Sequence, residues 1–312
     1  MVSVYSVTHF LVDFACAFLM FRSIAGTLDG YLCVLLYNFC AFAMQMPIGI
    51  IADKLNRNFL LAIIGCVLVG LAYVFVSIPV VAVLVIGIGN AMFHIGGGID
   101  VLNISDKKLG ALGVFVSPGA FGIYYGTMLG RRSEFSAIII PLVLITTAGL
   151  IFAVYKAQNG TYPKNAAFSL EGIGSPHILI MLASLFLVVC LRSFAGLALN
   201  FSWKAIGYWG TALICAVVFG KTLGGFIADK LGVFKTALFS LGIAALLFLL
   251  PQVPVAGVAA VLLFNMTMPV TLWAVARVMP GAKGFAFGLL TFGLFLGFLP
   301  VYLGVDVSRY SS

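Results

Sequence analysis

The sequence predicts an all-α membrane protein, a helical bundle of two related halves with about eleven transmembrane helices. Three observations carry this. Hydrophobic residues make up 63% of the chain and charged residues 8%, with a mean hydropathy of +1.20. A soluble domain carries about a quarter charged residues, so this chain cannot cover itself with a water-facing surface. Apolar stretches of roughly 20 residues, the length a helix needs to cross a bilayer, recur from end to end, whereas the alternating ~10-residue segments of a β-barrel do not. Finally, one phrase occurs twice: Pro47-Ile48-Gly49-Ile50-Ile51-Ala52-Asp53-Lys54-Leu55 returns as Leu223-Gly224-Gly225-Phe226-Ile227-Ala228-Asp229-Lys230-Leu231. The offset, 229 − 53 = 176 in 312 residues, fits two copies of one design. Paired halves are a common way to build a central site that opens alternately to either side of a membrane.

In chain order, hydropathy places spans at about 3–22, 30–52, 59–78, 80–102, 109–130 and 135–155. Residues 1–155 are expected to form a six-helix N-terminal half. Residues 156–176, rich in Gly, Pro, Asn and Ser, form the one long polar segment and read as a cytoplasmic linker. Spans then follow at about 177–199, 205–228, 233–251, 254–278 and 283–304, giving a C-terminal half, 177–312, with five helices. The twelfth that symmetry calls for is absent after Gly304. Asn90–Gly110 and Asn265–Gly284 repeat a helix, basic loop, helix layout at similar length.

Lys and Arg collect on the cytoplasmic side of membrane proteins. With the N-terminus inside, the inner loops hold ten (Lys54, Arg57, Lys107, Lys108, Lys156, Lys164, Lys230, Lys235, Arg277, Lys283) and the outer side five (Arg22, Arg131, Arg132, Lys204, Arg309). A cytoplasmic N-terminus is expected. The net charge of +8 therefore reflects orientation and not nucleic-acid binding. Met1–Phe21 lacks a basic n-region and a cleavage site, so it reads as a retained helix and not a signal peptide. The six cysteines lie in apolar segments without metal-type spacing and read as small buried hydrophobes. No metal or cofactor is expected. An enzyme is not expected either, since no nucleophile–base pair or ligand cluster is visible, and the Gly110, Gly113, Gly119, Gly122, Gly126 series lacks the strand and Lys-Ser/Thr of a phosphate loop.

Ionisable groups inside a bilayer are costly and usually mark a pathway or a partner. Asp13 lies about 16 Å into the first helix at 1.5 Å per residue, with His9 four residues earlier on the same face. A carboxylate beside an imidazole suits proton handling, because each alters the other's proton affinity; the plainer alternative is a hydrogen bond tying helices together. His94 sits at a similar depth in the fourth helix, where a packing role is the alternative. Arg192 is some fifteen residues into the seventh helix, too deep to snorkel easily. Matching Phe10-Leu11-Val12 to Phe186-Leu187-Val188 puts Arg192 three positions beyond the residue paired with Asp13, so a bridge between them is one expectation. Binding a carboxylate or phosphonate bidentately is another. Lys221 lies eight residues before Asp229, and Gln45 is its counterpart in the first half.

The duplication with a Gly-x-x-x-Asp-Lys loop after the second helix resembles the major facilitator superfamily, whose loop Gly-x-x-x-Asp-Arg/Lys-x-x-Arg is matched by Gly49, Asp53, Lys54 and Arg57; Gly225, Asp229 and Lys230 repeat it. His9-Phe10-Leu11-Val12-Asp13 and Ala91-Met92-Phe93-His94 resemble the fosmidomycin-resistance branch of drug:proton antiporters, although Ile95-Gly96 replace its Pro and acidic residue. Gly113, Ser117, Pro118 and Gly122 are similar to the superfamily's antiporter motif, with Ser117 and Phe121 in place of two glycines. The resemblance implies that the first, fourth and eighth helices face a central cavity and that the repeated loop latches a cytoplasmic gate. It implies proton-coupled export of a small organic anion, zwitterion or drug from the plasma membrane. His9, Asp13 and His94 would carry the proton, and Arg192, Lys221 and Gln45 would meet the solute. The positive balance of Arg192 and Lys221 against Asp13 favours an anion. Uptake by symport on the same fold, and a non-transporting scaffold or sensor, remain alternatives; the oligomeric state is not legible.

Overall fold

The computed structural model describes residues 1–105, 108–132, 136–158, 164–170 and 174–304. Two of the counted basic residues, Lys107 and Arg309, and residues 159–163 and 171–173 of the polar segment lie outside the described residues. Those described fold without a β-strand. Among the described residues, ten helices are long and apolar enough to cross a membrane: α1 Val2–Ile24, α2 Gly30–Leu55, α3 Asn58–Phe75, α4 Pro79–Ser105, α5 Gly110–Arg132, α6 Ile139–Ala157, α7 Pro176–Ala198, α8 Trp209–Leu231, α10 Pro254–Val278 and α11 Lys283–Tyr302. The eleventh, α9 (Val233–Phe248), is shorter but apolar. The chain is a multi-pass helical membrane protein. α8 begins later than hydropathy suggests. The residues before it form turns, with Gly207 at φ 54°, and the Trp203 indole N–H there donates to the Pro251 carbonyl (2.8 Å).

Among the described residues, three helices are interrupted part-way along their length, each near a proline. Proline lacks a backbone N–H and its ring crowds the carbonyl four residues earlier. Pro47 follows a π-helical turn at Phe39–Ala43 in α2. Pro118 follows a break at Ser117 in α5. Pro269 follows a break at Met266 in α10. Irregular backbone is tolerated at membrane depth only where protein or a polar cavity satisfies it, so these joints mark places to look for function.

Small residues let the helices approach closely, which is how membrane helices associate when lipid is as apolar as their side chains. A Cβ at Gly122 or Gly126 of α5 would overlap the Phe10 or Phe14 carbonyl of α1, and one at Gly65 of α3 would overlap the α4 backbone at Phe93. Gly297 of α11 meets Cys190 of α7, and Gly224 of α8 meets Met266 of α10. Two further seams join helices before the polar segment to helices after it. Along one, Gly49 of α2 abuts Gly284 of α11; along the other, Gly225 of α8 abuts Leu109 and Gly110 at the start of α5. Tyr5, Phe18, Phe93 and Phe115, all fully buried, fill the core where α1, α4 and α5 meet.

Candidate functional site: a carboxylate between two imidazoles

α1 and α4 present their polar residues to each other. Asp13 is 8% exposed and His9 6%. The Asp13 Oδ2 lies 3.2 Å from His9 Nε2, and its Oδ1 lies 3.6 Å from His94 Nε2. Asn90, one helical turn before His94, donates its side-chain N–H to Asp13 Oδ1 (3.1 Å). The two imidazoles meet edge to face, Nε2 to Nε2 at 2.9 Å.

The other ring nitrogens decide the chemistry. His9 Nδ1 lies 2.7 Å from the Phe115 carbonyl, and His94 Nδ1 lies 2.9 Å from the Asn90 carbonyl. A carbonyl only accepts, so each ring carries its proton on Nδ1. When neutral, both rings then aim a lone pair from Nε2 at the other and at a carboxylate. Three acceptors converge with no donor among them. One added cation between the rings and the carboxylate would satisfy all three acceptors. A proton on either Nε2 donates to the facing ring and stands beside Asp13.

The break in α5 builds part of this. Pro118 supplies no N–H, and Ala120 N–H turns to the Ser117 carbonyl (3.3 Å). The Phe115 and Val116 carbonyls then serve side chains: His9 takes the first, and Lys221 Nζ donates to the second at 3.3 Å. Ser117 Oγ meets Thr222 Oγ1 of α8 at 2.7 Å, beside the close approach of Gly113 to the α8 backbone. A Cβ at Gly119 would fall on Asp13 Oδ2 and His9 Nε2. The motif Gly113, Ser117, Pro118, Gly122 thus brings α1, α5 and α8 together at this site.

The structure corrects one pairing. Arg192 does not bridge to Asp13, because His9, His94 and Asn90 already occupy the carboxylate. Its Nη1 reaches Thr271 Oγ1 at 3.4 Å, and among the described residues it has no carboxylate partner. Gln45, fully buried, donates to the Ala41 carbonyl of its own helix (2.6 Å) and lies in the α2–α11 seam against Gly288. Lys221 is tied across the α5–α8 seam by the Val116 carbonyl. Asn90 and Gly119 carry no signal of their own in the sequence; only their register against Asp13 reveals them.

At one end of the bundle the repeated phrase makes two matching caps. Asp53 accepts from the backbone N–H of Gly284 (2.8 Å) and Phe285 (2.9 Å) at the start of α11. Asp229 accepts from Leu109 (2.7 Å) and Gly110 (2.9 Å) at the start of α5. Carboxylates suit helix N-termini, whose first N–H groups lack partners and whose dipole is positive. Asp53 is 3% exposed, whereas Asp229 is solvent-exposed. The basic residues of the phrase do not join the caps: Lys54 stands over the Phe168 ring (5.2 Å), and Arg57 and Lys230 are exposed. Part of the polar segment straps this end. Asn165 is held by Asn58 (3.0 Å) and Asn103 (2.7 Å) and pairs its backbone with Asn56 (2.9 Å), while Ser169 N–H donates to the Gly281 carbonyl (3.2 Å).

Solved transporters share this arrangement of helices. A major facilitator superfamily transporter, FucP, in its outward conformation superposes with a TM-score of 0.70 at 12% identity, over 100% of this chain and 92% of that one. The fold is that of the major facilitator superfamily. A point variant of the E. coli fucose:proton symporter FucP gives 0.68 at 13% identity over 99% and 92%. A bacterial homologue of the iron transporter ferroportin, outward-facing, gives 0.60 at 14% over 99% and 94%. Each of the three is described as a transporter, a symporter or a homologue of a transporter. No protein-family profile matches the chain, and no curated protein matches its sequence. The likeness to the fosmidomycin-resistance branch thus rests on the sequence motifs alone.

Proposed function

We propose that this protein is a secondary active transporter that exports a small organic anion or zwitterion by alternating access, driven by protons. The observation that carries this is the cluster of three acceptors, His9, Asp13 and His94, in a bundle that also holds Arg192, half-buried, without a carboxylate partner among the described residues. The cluster is the proton station. Arg192, with its planar fork of donors, is the anion site, and Lys221 adds positive potential from the α5–α8 seam. The capped end is the cytoplasmic gate, in line with the distribution of Lys and Arg, and the membrane is the plasma membrane. Uptake by symport is the second reading, favoured by the fold neighbour described as a fucose:proton symporter. A scaffold gains nothing from burying such groups.

Proton movement in proteoliposomes under an imposed pH gradient tests the proposal, with small phosphonates and other organic anions added in turn. Dissipation of the gradient triggered by one of them is the expected result, and its sign against protein orientation separates export from uptake. Absence of a response to every compound by well-folded protein would overturn the anion-carrier reading.

The caps give a second expectation. Replacing a helix-capping side chain by Ala costs about 0.5–2 kcal/mol. Asp53→Ala is expected to open the gate more than Asp229→Ala does, because Asp53 is sealed from water and Asp229 is already hydrated. Spin labels at positions 54 and 230, both exposed, would report this as a longer distance in detergent or lipid. Unchanged distances in both variants and in their combination would remove the gating role.

A further inference from the structure

We propose that His9, Asp13 and His94 form a binding site for one divalent transition-metal ion, which enters in place of the coupling proton. The ligand set is two imidazole nitrogens and a carboxylate, all within 4.8 Å of one another. Two nitrogens and one carboxylate oxygen suit Zn²⁺, Fe²⁺, Co²⁺ or Mn²⁺, and not Mg²⁺ or Ca²⁺, which prefer all-oxygen shells.

The spacings fit such an ion. Ligands held at about 2.1 Å from a metal lie ~3.0 Å apart when they subtend a right angle and ~3.4 Å apart at the tetrahedral angle. The three edges here are 2.9 Å between the two Nε2 atoms, 3.2 Å from His9 to Asp13 and 3.6 Å from His94 to Asp13. They bracket both values. Shifts of a few tenths of an ångström would equalise them.

The surroundings are those of a ligand shell set in advance. A metal-binding imidazole offers one nitrogen and anchors the other through its N–H, usually to a carbonyl or carboxylate. His9 is anchored in this way by the Phe115 carbonyl and His94 by the Asn90 carbonyl. Asn90 also steadies the carboxylate through its side chain. Both Nε2 lone pairs are thereby committed to the centre of the triad before any ion arrives. Gly119 lets the α5 backbone close directly over Asp13 Oδ2 and His9 Nε2, where even a Cβ would overlap, so that face of the site is sealed. The neighbouring Cys16, whose Sγ lies 3.5 Å from the Asn90 side chain, belongs to the packing and not to the ligand set.

The inference uses the site proposed above for the proton, and rests on that reading only for its consequence in transport: metal and proton compete for the same lone pairs. Binding itself is independent of transport, so it is measured on the purified full chain, with a histidine-free tag and prior chelator treatment. Co²⁺ titration followed by its visible ligand-field absorption, and Zn²⁺ titration by calorimetry, are expected to give one saturable ion per chain. His94→Gln and Asp13→Asn should each weaken binding by on the order of 100-fold or more, and Asn90→Ala by about 10–100-fold, the range for second-layer partners of a metal site. His177→Ala, which alters the remaining histidine, exposed at the start of α7, should leave binding unchanged. Folding of each variant is checked by helical circular dichroism and a monodisperse elution profile. Absence of saturable binding by folded parent protein, or binding that survives both His94→Gln and Asp13→Asn, would overturn the inference. The proton assay run in chelator-treated vesicles requires no metal. Flux there without metal binding in solution would defeat this proposal alone, and metal binding without flux would defeat only the transport reading.

Discussion

Asp13→Asn is expected to reduce gradient-driven flux by on the order of 100-fold, the scale on which a positioned proton-transfer group acts, and to flatten what remains against pH. The substitution keeps the shape and removes the charge. It also changes the hydrogen-bond arithmetic. The new amide N–H can donate to one of the Nε2 lone pairs, which eases the three-acceptor conflict, and the anion that would hold an added cation beside the two rings is gone. The site then holds a proton less strongly, and substrate movement loses its driving partner. Exchange of labelled for unlabelled substrate at equal pH, which needs no net proton transfer, should persist and serves as the check on folding. A variant with the parent's pH dependence would end the assignment of Asp13 as the coupling carboxylate.

Arg192→Gln is expected to raise the dissociation constant for an anionic substrate by about 10–100-fold. A hydrogen bond to a charged partner contributes about 1.5–3 kcal/mol, and each 1.4 kcal/mol is a factor of ten in affinity. Gln retains a donor for Thr271 but neither the charge nor the fork. Arg192→Lys, with charge but no fork, should fall between the two. The measurement is substrate binding to detergent-purified protein across this series. Equal affinity in all three proteins would exclude Arg192 from the binding site and move attention to Lys221.

The sequence made some of these features readable and left others hidden, for physical reasons. The eleven helices follow from hydropathy, because a bilayer sets their length. The caps were foreshadowed by the repeated phrase, since a carboxylate at the end of a helix needs a nearby donor and the duplicated loop supplies it twice. What stayed hidden depends on the rotation of one helix against another. Asn90 meets Asp13 across 77 residues of chain, and His94 meets His9 across 85. No local spacing records that. The metal-type triad escaped for the same reason, its ligands being divided between α1 and α4. The expected Arg192–Asp13 bridge failed because Asp13 is satisfied within its own set of helices. The clamp on Asn165 by Asn56, Asn58 and Asn103 was equally invisible, three ordinary asparagines brought together by helix ends.

The joint at Ser117–Pro118 has a consequence for water. Its two adjacent carbonyls serve different sets of helices: Phe115 holds His9 of α1, and Val116 holds Lys221 of α8. Any rocking that carries α8 away from α5 strips the Val116 carbonyl of its lysine partner at membrane depth, where an unpaired acceptor is costly. Water is the donor at hand. Parting of that seam therefore draws moisture to within one peptide unit of His9, and the imidazole is wetted by the same displacement that opens the path. Motion and hydration are then geared through a single carbonyl, and in the proposed transport cycle the cluster would exchange its cation with bulk only when the bundle has moved.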